Sequence, residues 1–138
     1  MTISAVKRDE LIAAAREAMK HAYAPYSKFY VGAAILTADG KTFTGCNVEN
    51  ASFGLTSCAE RNAIFAAVAA ANASPQGKIN LVAVAVTNAQ NVPCSPCGAC
   101  RQVIAEFGRA AVVYYQGEND IKEQTIAQLL PDGFILAE

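Results

Sequence analysis

Ser57-Cys58-Ala59-Glu60-Arg61 and Ser95-Pro96-Cys97-Gly98-Ala99-Cys100-Arg101 are the stretches on which the reading of this chain turns. Each opens a predicted helix. Ser57 and Ser95 are N-cap residue types, and Pro96 suits the first helical position, where its missing N–H costs nothing. The helices are thus expected to begin at Cys58 and Pro96. Cys97 and Cys100, three residues apart, are then neighbours on one face of a first turn. The orphan N–H groups and the positive dipole end favour thiolate over thiol at both places. Three thiolates suit a tetrahedral metal with one position left open. That is the donor count of a catalytic zinc site; a structural one wants a fourth Cys or His.

Around these two helices the apolar pattern alternates. Leu11, Ile12, Ala15, Ala18, Met19 and Ala22 mark a helical face over Ser4–His21, which Ala24-Pro25 ends. Phe29–Thr37 reads as a strand, Asp39-Gly40 as a hairpin turn, and Lys41–Val48 as the returning strand. Cys58 to about Ala73 is a second helix, buried on most sides judging by its alanine density. Leu81–Thr87 is a continuous apolar strand of a covered sheet. A third helix over Pro96–Phe107 stops at Gly108, Ala111–Tyr115 is another buried strand, and Ile121–Leu130 is a short strand or helix. A hairpin followed by alternating helices and strands predicts an α/β fold, a three-layer α/β/α sandwich on a mixed central β-sheet. With no linker, repeat or low-complexity tract, residues 1–138 read as one domain.

Composition narrows the function classes. Apolar residues make up 53% of the 138 and charged residues 17%, a foldable globular balance. The net charge is −1, and the eleven Lys and Arg are scattered among acids, so no basic stripe suits a nucleic acid. The longest apolar run, Ala63–Ala71, is far short of the ~18 residues of a membrane span. Charges at Lys7–Glu10 leave no signal-peptide core, which predicts a cytoplasmic protein. Five cysteines, three of them crowded, read as metal binding and not as disulfides.

Glu60 has two readings. Ser57-x-x-Glu60 is a capping-box pattern, in which the Glu returns a hydrogen bond to the cap. Two residues from Cys58, and with Pro-Cys-x-x-Cys downstream, it also fits the acid of a metal-assisted proton transfer. An offset of about 200° around the helix makes it a poor ligand for the ion that Cys58 holds. The single histidine, His21, lies in the first helix, so proton transfer falls to a carboxylate. Arg61 and Arg101 are placed to donate to thiolate sulfur and offset its charge. Cys94-x-x-Cys97-x-x-Cys100 with Cys58 is the rival pattern, an iron–sulfur cluster, although no Cys-Pro completion follows Cys100. A non-enzymatic zinc module is the other alternative, and it leaves Glu60 without a purpose. Cys46 reads as a small buried apolar residue.

These residues together resemble cytidine deaminase of the small homotetrameric type, with three Cys on zinc. The likeness runs through Pro25-Tyr26-Ser27-Lys28-Phe29, Val31-Gly32-Ala33-Ala34, Asn47-Val48-Glu49-Asn50-Ala51, Cys58-Ala59-Glu60-Arg61, Pro96-Cys97-Gly98-Ala99-Cys100-Arg101-Gln102 and Leu129-Leu130-Pro131. The resemblance implies one zinc per subunit on Cys58, Cys97 and Cys100, with Glu60 moving the proton. It implies that Asn47 and Glu49 hold the ribose hydroxyls and that Phe29 lines the base pocket. It also implies that the backbone near Ala51 and the ring of Phe134 reach a neighbouring subunit's site. The implied activity is hydrolytic deamination of cytidine, and of 2′-deoxycytidine, in pyrimidine salvage. Relatives acting on cytosine antibiotics such as blasticidin S share the zinc motifs, and Asn47-x-Glu49 is what argues for a nucleoside. The family often carries Tyr where this chain has Phe53, and Cys94 is not one of its hallmarks.

Overall fold

The computed structural model describes residues 3–71 and 78–136. Helix α1 (Ala5–Ala18) is capped by Ser4, whose Oγ accepts the Lys7 N–H at 3.1 Å, and it buries Leu11, Ala15 and Ala18. Its last turn tightens to a 3-10 helix over Met19–His21 before the proline. Strands β1 (Val31–Thr37) and β2 (Thr42–Cys46) form the antiparallel hairpin, with Gly40 at φ 86° in its turn. That left-handed conformation is one glycine adopts without penalty.

Both strands are shorter than the sequence reading. The Phe29 N–H donates to Ser27 Oγ, and the Phe29 carbonyl accepts from Asn47 Nδ2 at 2.7 Å. Side chains thus occupy the groups a ladder would use, and β1 begins two residues late. Val48 leaves β2 to make single bridges with Tyr23 and Ser57.

Helix α2 is Ala59–Ala71, strand β3 Leu81–Asn88, helix α3 Gly98–Phe107 and strand β4 Val112–Gln116. The expected end of α2 near Ala73 lies outside the described residues. The segment read as a short strand or helix is both: strand β5 (Ile121–Thr125) runs into helix α4 (Ile126–Leu129). A capping box makes the switch, with the Gln128 N–H on Thr125 Oγ1 at 3.2 Å and the Thr125 N–H on Gln128 Oε1 at 2.9 Å.

The sheet order is β2-β1-β3-β4-β5, with β3 and β4 parallel and the other pairs antiparallel. Side chains alternate across it. Ala34, Leu36, Ala83, Ala85 and Tyr114 face α1. Ala33, Ile35, Val84, Val86 and Val113 face α2, α3 and α4. The sandwich therefore has the three layers expected. Ile35, Ile64 and Ile104 are fully buried on the second side, each stabilising the fold by roughly 2–3 kcal/mol. Helix α2 departs from the reading made on its alanines. Ala63, Ile64 and Ala67 are buried, but Phe65 is 49% exposed and Ala66, Ala69 and Ala70 face outward in the single chain. Alanine is small on every side of a helix, so its density does not reveal which side is covered.

Strand direction places the site. Both β2 and β3 run antiparallel to β1, so their carboxyl ends, Cys46 and Asn88, lie at the same edge of the sheet. The helices that follow them, α2 and α3, both start from that edge and touch each other. Ligands in open α/β sheets bind at such carboxyl ends. The start of α2 is pressed against β2 at Gly45, where a Cβ would lie 2.5 Å from the Ala63 nitrogen and 2.6 Å from the Ala59 carbonyl oxygen. Both neighbours are backbone, so only a shift of the helix relieves the contact. Gly45→Ala is expected to destabilise the protein by about 2 kcal/mol or more, seen as a urea midpoint roughly 1 M lower at fixed protein concentration. The zinc content of the purified variant is expected to fall with it.

Candidate active site

Cys58 immediately precedes α2, and Ser57 before it is not the cap. The Ser57 backbone pairs with Val48 in both directions, and its hydroxyl donates to Asn62 Oδ1 at 2.7 Å. Asn62 Nδ2 in turn donates to the Cys46 carbonyl at 2.8 Å, tying the helix start to the end of β2. With the helix starting one residue later than expected, Glu60 is the second helical residue and not the third. The capping-box reading of Glu60 therefore fails on register.

The third helix is displaced in the same sense. Its N-cap is Cys97, not Ser95, and Cys100 is its third residue. Arg101 holds the preceding loop out of the helix: its Nε donates to the Pro96 carbonyl at 2.7 Å and its Nη2 to Ser95 Oγ at 2.8 Å. Its Nη1 reaches the Leu129 carbonyl at 2.8 Å. All of these acceptors are oxygens, so the expectation that Arg101 donates to sulfur is corrected. Lying one turn into α3, its side chain folds back over the cap, where it meets the Pro96 carbonyl and the Ser95 hydroxyl, and reaches across to the end of α4. Arg61 does meet a sulfur, with Nη2 donating to Cys58 Sγ at 3.3 Å. Its Nε is buried without a partner.

The sulfurs of Cys58, Cys97 and Cys100 lie within 4.8 Å of one another, with Cys58 and Cys97 4.0 Å apart. Cys100 is fully buried, Cys58 half-buried and Cys97 exposed. Three such thiols do not ionise independently. A hydrogen bond from Cys100, followed by the Arg61 guanidinium, pulls Cys58 down to about 5 despite its burial. Cys100, donating to Cys58 and buried next to Glu60, is pushed upward. Glu60 is itself 5% exposed. Burial pushes its carboxyl up to about 7, and the Cys58 charge adds to this. A site that crowds three acidic sulfurs around a buried acid lacks positive charge, and a divalent cation supplies it.

Cys94 stays outside the group. Its half-buried Sγ turns to the Ser95 carbonyl at 3.9 Å, and burial raises its pKa. The four-sulfur shell that an iron–sulfur cluster or a closed zinc module requires is not assembled among the described residues. Cys46 is half-buried at the end of β2, less enclosed than the sequence reading had it.

The residues expected to meet a sugar form a second cluster. Asn47 is buried, and besides holding the Phe29 carbonyl its Oδ1 accepts the Val31 N–H at 2.9 Å. Glu49 accepts from the loop at Tyr26 and Ser27. The Ser27 hydroxyl first, then backbone N–H groups and Lys28, hold its carboxyl below the usual range against a smaller upward push from burial. Glu49 lines a cleft of about 370 Å³ with Tyr26, Ser27, Asn50, Phe53 and Thr56. Phe29 is half-buried beside it in sequence, Ala51 is exposed, and Phe134 is 70% exposed with its carbonyl accepting from Gln102. Neither Phe134 nor the sulfur cluster lines that cleft within the one chain. Sequence reasoning overlooked Ser27 and Asn62 as site-building residues. Both are polar side chains whose partners lie on other elements, and nothing in local sequence signals such partners.

The family model of the cytidine and deoxycytidylate deaminase zinc-binding region matches residues 6–116. The chain belongs to that family. A cytidine deaminase of Sporosarcina psychrophila is 47% identical over 128 residues, covering 91% of this chain and 90% of the relative. A cytidine deaminase of Halalkalibacterium halodurans is 47% identical over 129 residues, 92% of this chain and 93% of its own. Among solved structures, the cytidine deaminase from Burkholderia pseudomallei superposes with a TM-score of 0.81 at 46% identity, covering 97% of this chain and 100% of that one. The α/β/α sheet of this deaminase is thus that of its relatives.

The donor set fits the family's metal. Tetrahedral zinc with sulfur at about 2.3 Å holds its sulfurs about 3.8 Å apart, close to the spacing found here, and Arg61 balances part of the thiolate charge. Zinc is the cofactor of this deaminase, and the cluster of Cys58, Cys97 and Cys100 is consistent with one zinc per chain. Purified protein is expected to be colourless and to carry about one zinc per chain by atomic emission spectroscopy. Cys97→Ala is expected to lose most of that zinc, whereas Cys94→Ala is expected to keep it. Stoichiometric iron, or zinc loss on Cys94→Ala, would reverse the ligand assignment.

Proposed function

We propose that this deaminase hydrolyses cytidine and 2′-deoxycytidine to uridine and deoxyuridine with release of ammonia, serving pyrimidine salvage in the cytoplasm. The observation that carries the reading is the pairing of an open three-sulfur donor set with a buried carboxyl beside it. Bound zinc supplies a Lewis acid that makes water a nucleophile near neutral pH. Glu60 takes the proton of the water that attacks C4 and delivers it to N3 of the pyrimidine. It then takes the proton of the new C4 hydroxyl and hands it to the amino group as the C4–N bond breaks and the C4 carbonyl forms, so that water and cytidine become uridine and ammonia. A carboxyl with a pKa of about 7 is matched to accepting and returning a proton at that pH. Arg61 moderates the Cys58 charge, and Arg101 fixes the loop from which Cys97 projects. Asn47 and Glu49 take the ribose hydroxyls and Phe29 lines the base, over one domain of residues 1–138.

Ultraviolet monitoring of cytidine, deoxycytidine and blasticidin S with the purified protein tests the substrate class, and turnover confined to the nucleosides is expected. Glu60→Gln keeps the side chain's size. It is expected to retain zinc and fold while lowering turnover about 100-fold or more. Near-normal turnover in that folded, zinc-loaded variant would remove Glu60 from the chemistry.

Self-association as a homotetramer belongs to the same reading. Phe53, Leu55 and Phe134 are 80%, 70% and 70% exposed, and the outer face of α2 adds Phe65 at 49%, large apolar side chains that subunit contacts would cover. The backbone near Ala51 and the ring of Phe134 then complete a neighbouring subunit's site. Light scattering is expected to give the mass of four chains, and Phe134→Ala to raise the KM for cytidine with a smaller effect on kcat. A fully active monomer would defeat the shared site.

A further inference from the structure

The carboxylate of Glu49 is not free to turn. Its Oε1 accepts the backbone N–H of Tyr26 at 3.0 Å and that of Ser27 at 3.1 Å, while the Ser27 hydroxyl donates to Oε2. Ser27 Oγ also accepts the Phe29 N–H at 2.9 Å. One hydroxyl therefore connects the carboxylate to the residue assigned to the base. A carboxylate offers about four acceptor positions, two on each oxygen. Both positions on Oε1 are filled and one on Oε2 is, so a single position remains, on Oε2 and next to Ser27.

The loop around this pair is held in a form it would not choose alone. Lys28, between Ser27 and Phe29, has φ 61°, a left-handed conformation that lysine seldom adopts. Its N–H is fixed on the Ala24 carbonyl at 3.0 Å. The bonds of Ser27 to Glu49 on one side and to Phe29 on the other flank that residue. Ser27 and Glu49 both line the cleft described above.

We infer that Ser27 is a positioning residue that aims the last free acceptor of Glu49 at a sugar hydroxyl, and so sets the preference for cytosine nucleosides with a hydroxylated ring over analogues lacking those hydroxyls. The inference rests on the assignment of Glu49 to the ribose. Without the Ser27 hydroxyl, Oε2 has two open positions and no fixed neighbour, and the carboxylate turns about its Oε1 anchor. The cost then falls on substrates whose hydroxyl needs Oε2 in place. Catalytic groups at Cys58, Glu60, Cys97 and Cys100 are untouched.

Steady-state kinetics of the zinc-loaded wild type, Ser27→Ala, Ser27→Thr and Glu49→Ala on cytidine and on 2′,3′-dideoxycytidine test this. The dideoxy compound keeps the base and the 5′-hydroxyl. Where its turnover is too slow to follow, its inhibition constant against cytidine replaces it. Ser27→Ala is expected to raise the KM for cytidine about tenfold, the scale of one charge-assisted hydrogen bond, with kcat within twofold. Its constants for the dideoxy compound are expected to stay near wild type. Ser27→Thr, which keeps the hydroxyl, is expected to retain the wild-type preference. Equal weakening of both compounds by Ser27→Ala, or a Ser27→Thr variant as indifferent as Ser27→Ala, would make Ser27 a loop-building residue only and overturn the inference. If Glu49→Ala keeps the full preference for cytidine, the ribose assignment itself is wrong and the inference falls with it. Loss of preference in Glu49→Ala but not in Ser27→Ala leaves the assignment standing and rejects Ser27 alone.

Discussion

Three cysteine sulfurs held within 4.8 Å of one another cannot all carry charge unless a cation sits among them, and much of this chain is arranged around that constraint. Two helices begin at the cluster, and each supplies unpaired N–H groups and a positive dipole end that make thiolate cheaper. Arg61 adds a full positive charge on Cys58. The hydrogen bond between Cys100 and Cys58 drives the two in opposite directions, Cys58 down and Cys100 up. Cys58, Cys97 and Cys100 could all be anions with a zinc among them, which would link metal binding to proton release.

The same crowding prepares Glu60. A carboxyl buried next to the Cys58 charge is held proton-hungry, as the proton-carrying role proposed for Glu60 would require. Structure and chemistry share one cause here. Helix α2 is pressed closely on β2 at Gly45, and Glu60 on its first turn is only 5% exposed. The Asn62 bridge from Ser57 to Cys46 fixes the rotation of that turn. Around Glu49 the logic is different, since Asn47 and Glu49 both hydrogen-bond to the loop of residues 26–31.

Much of this was legible in the sequence, and the failures have identifiable causes. Strands β1, β3 and β4 and helices α1 and α3 follow from apolar period and turn residues, because burial on a sheet or helix face imprints a period on the chain. The ends were less legible. Helices α2 and α3 start later than Ser57 and Pro96 suggest, since Asn62 and Arg101, side chains from the helices themselves, claim the hydroxyls that would have capped them. The Arg101 contacts and the solvent face of α2 were misread for a related reason. A local pattern names a residue's options and not which partner is near enough to take them.

What the sequence determined by itself is the chemistry: three thiols and an acid in a spacing that suits an open zinc site, on an alternating α/β chain. Side-chain type and short-range spacing are enough for that, because ligand identity and helix-turn neighbours are local properties. The tertiary structure decided which of five cysteines converge, that Cys94 stands apart, and that Glu60 is buried and not a cap. It also decided that Ser27, Asn47 and Glu49 act as one hydrogen-bonded unit. Those outcomes depend on β2 and β3 running in the same direction and on backbone contacts between residues far apart in the chain. Only the folded chain brings such residues within hydrogen-bonding distance.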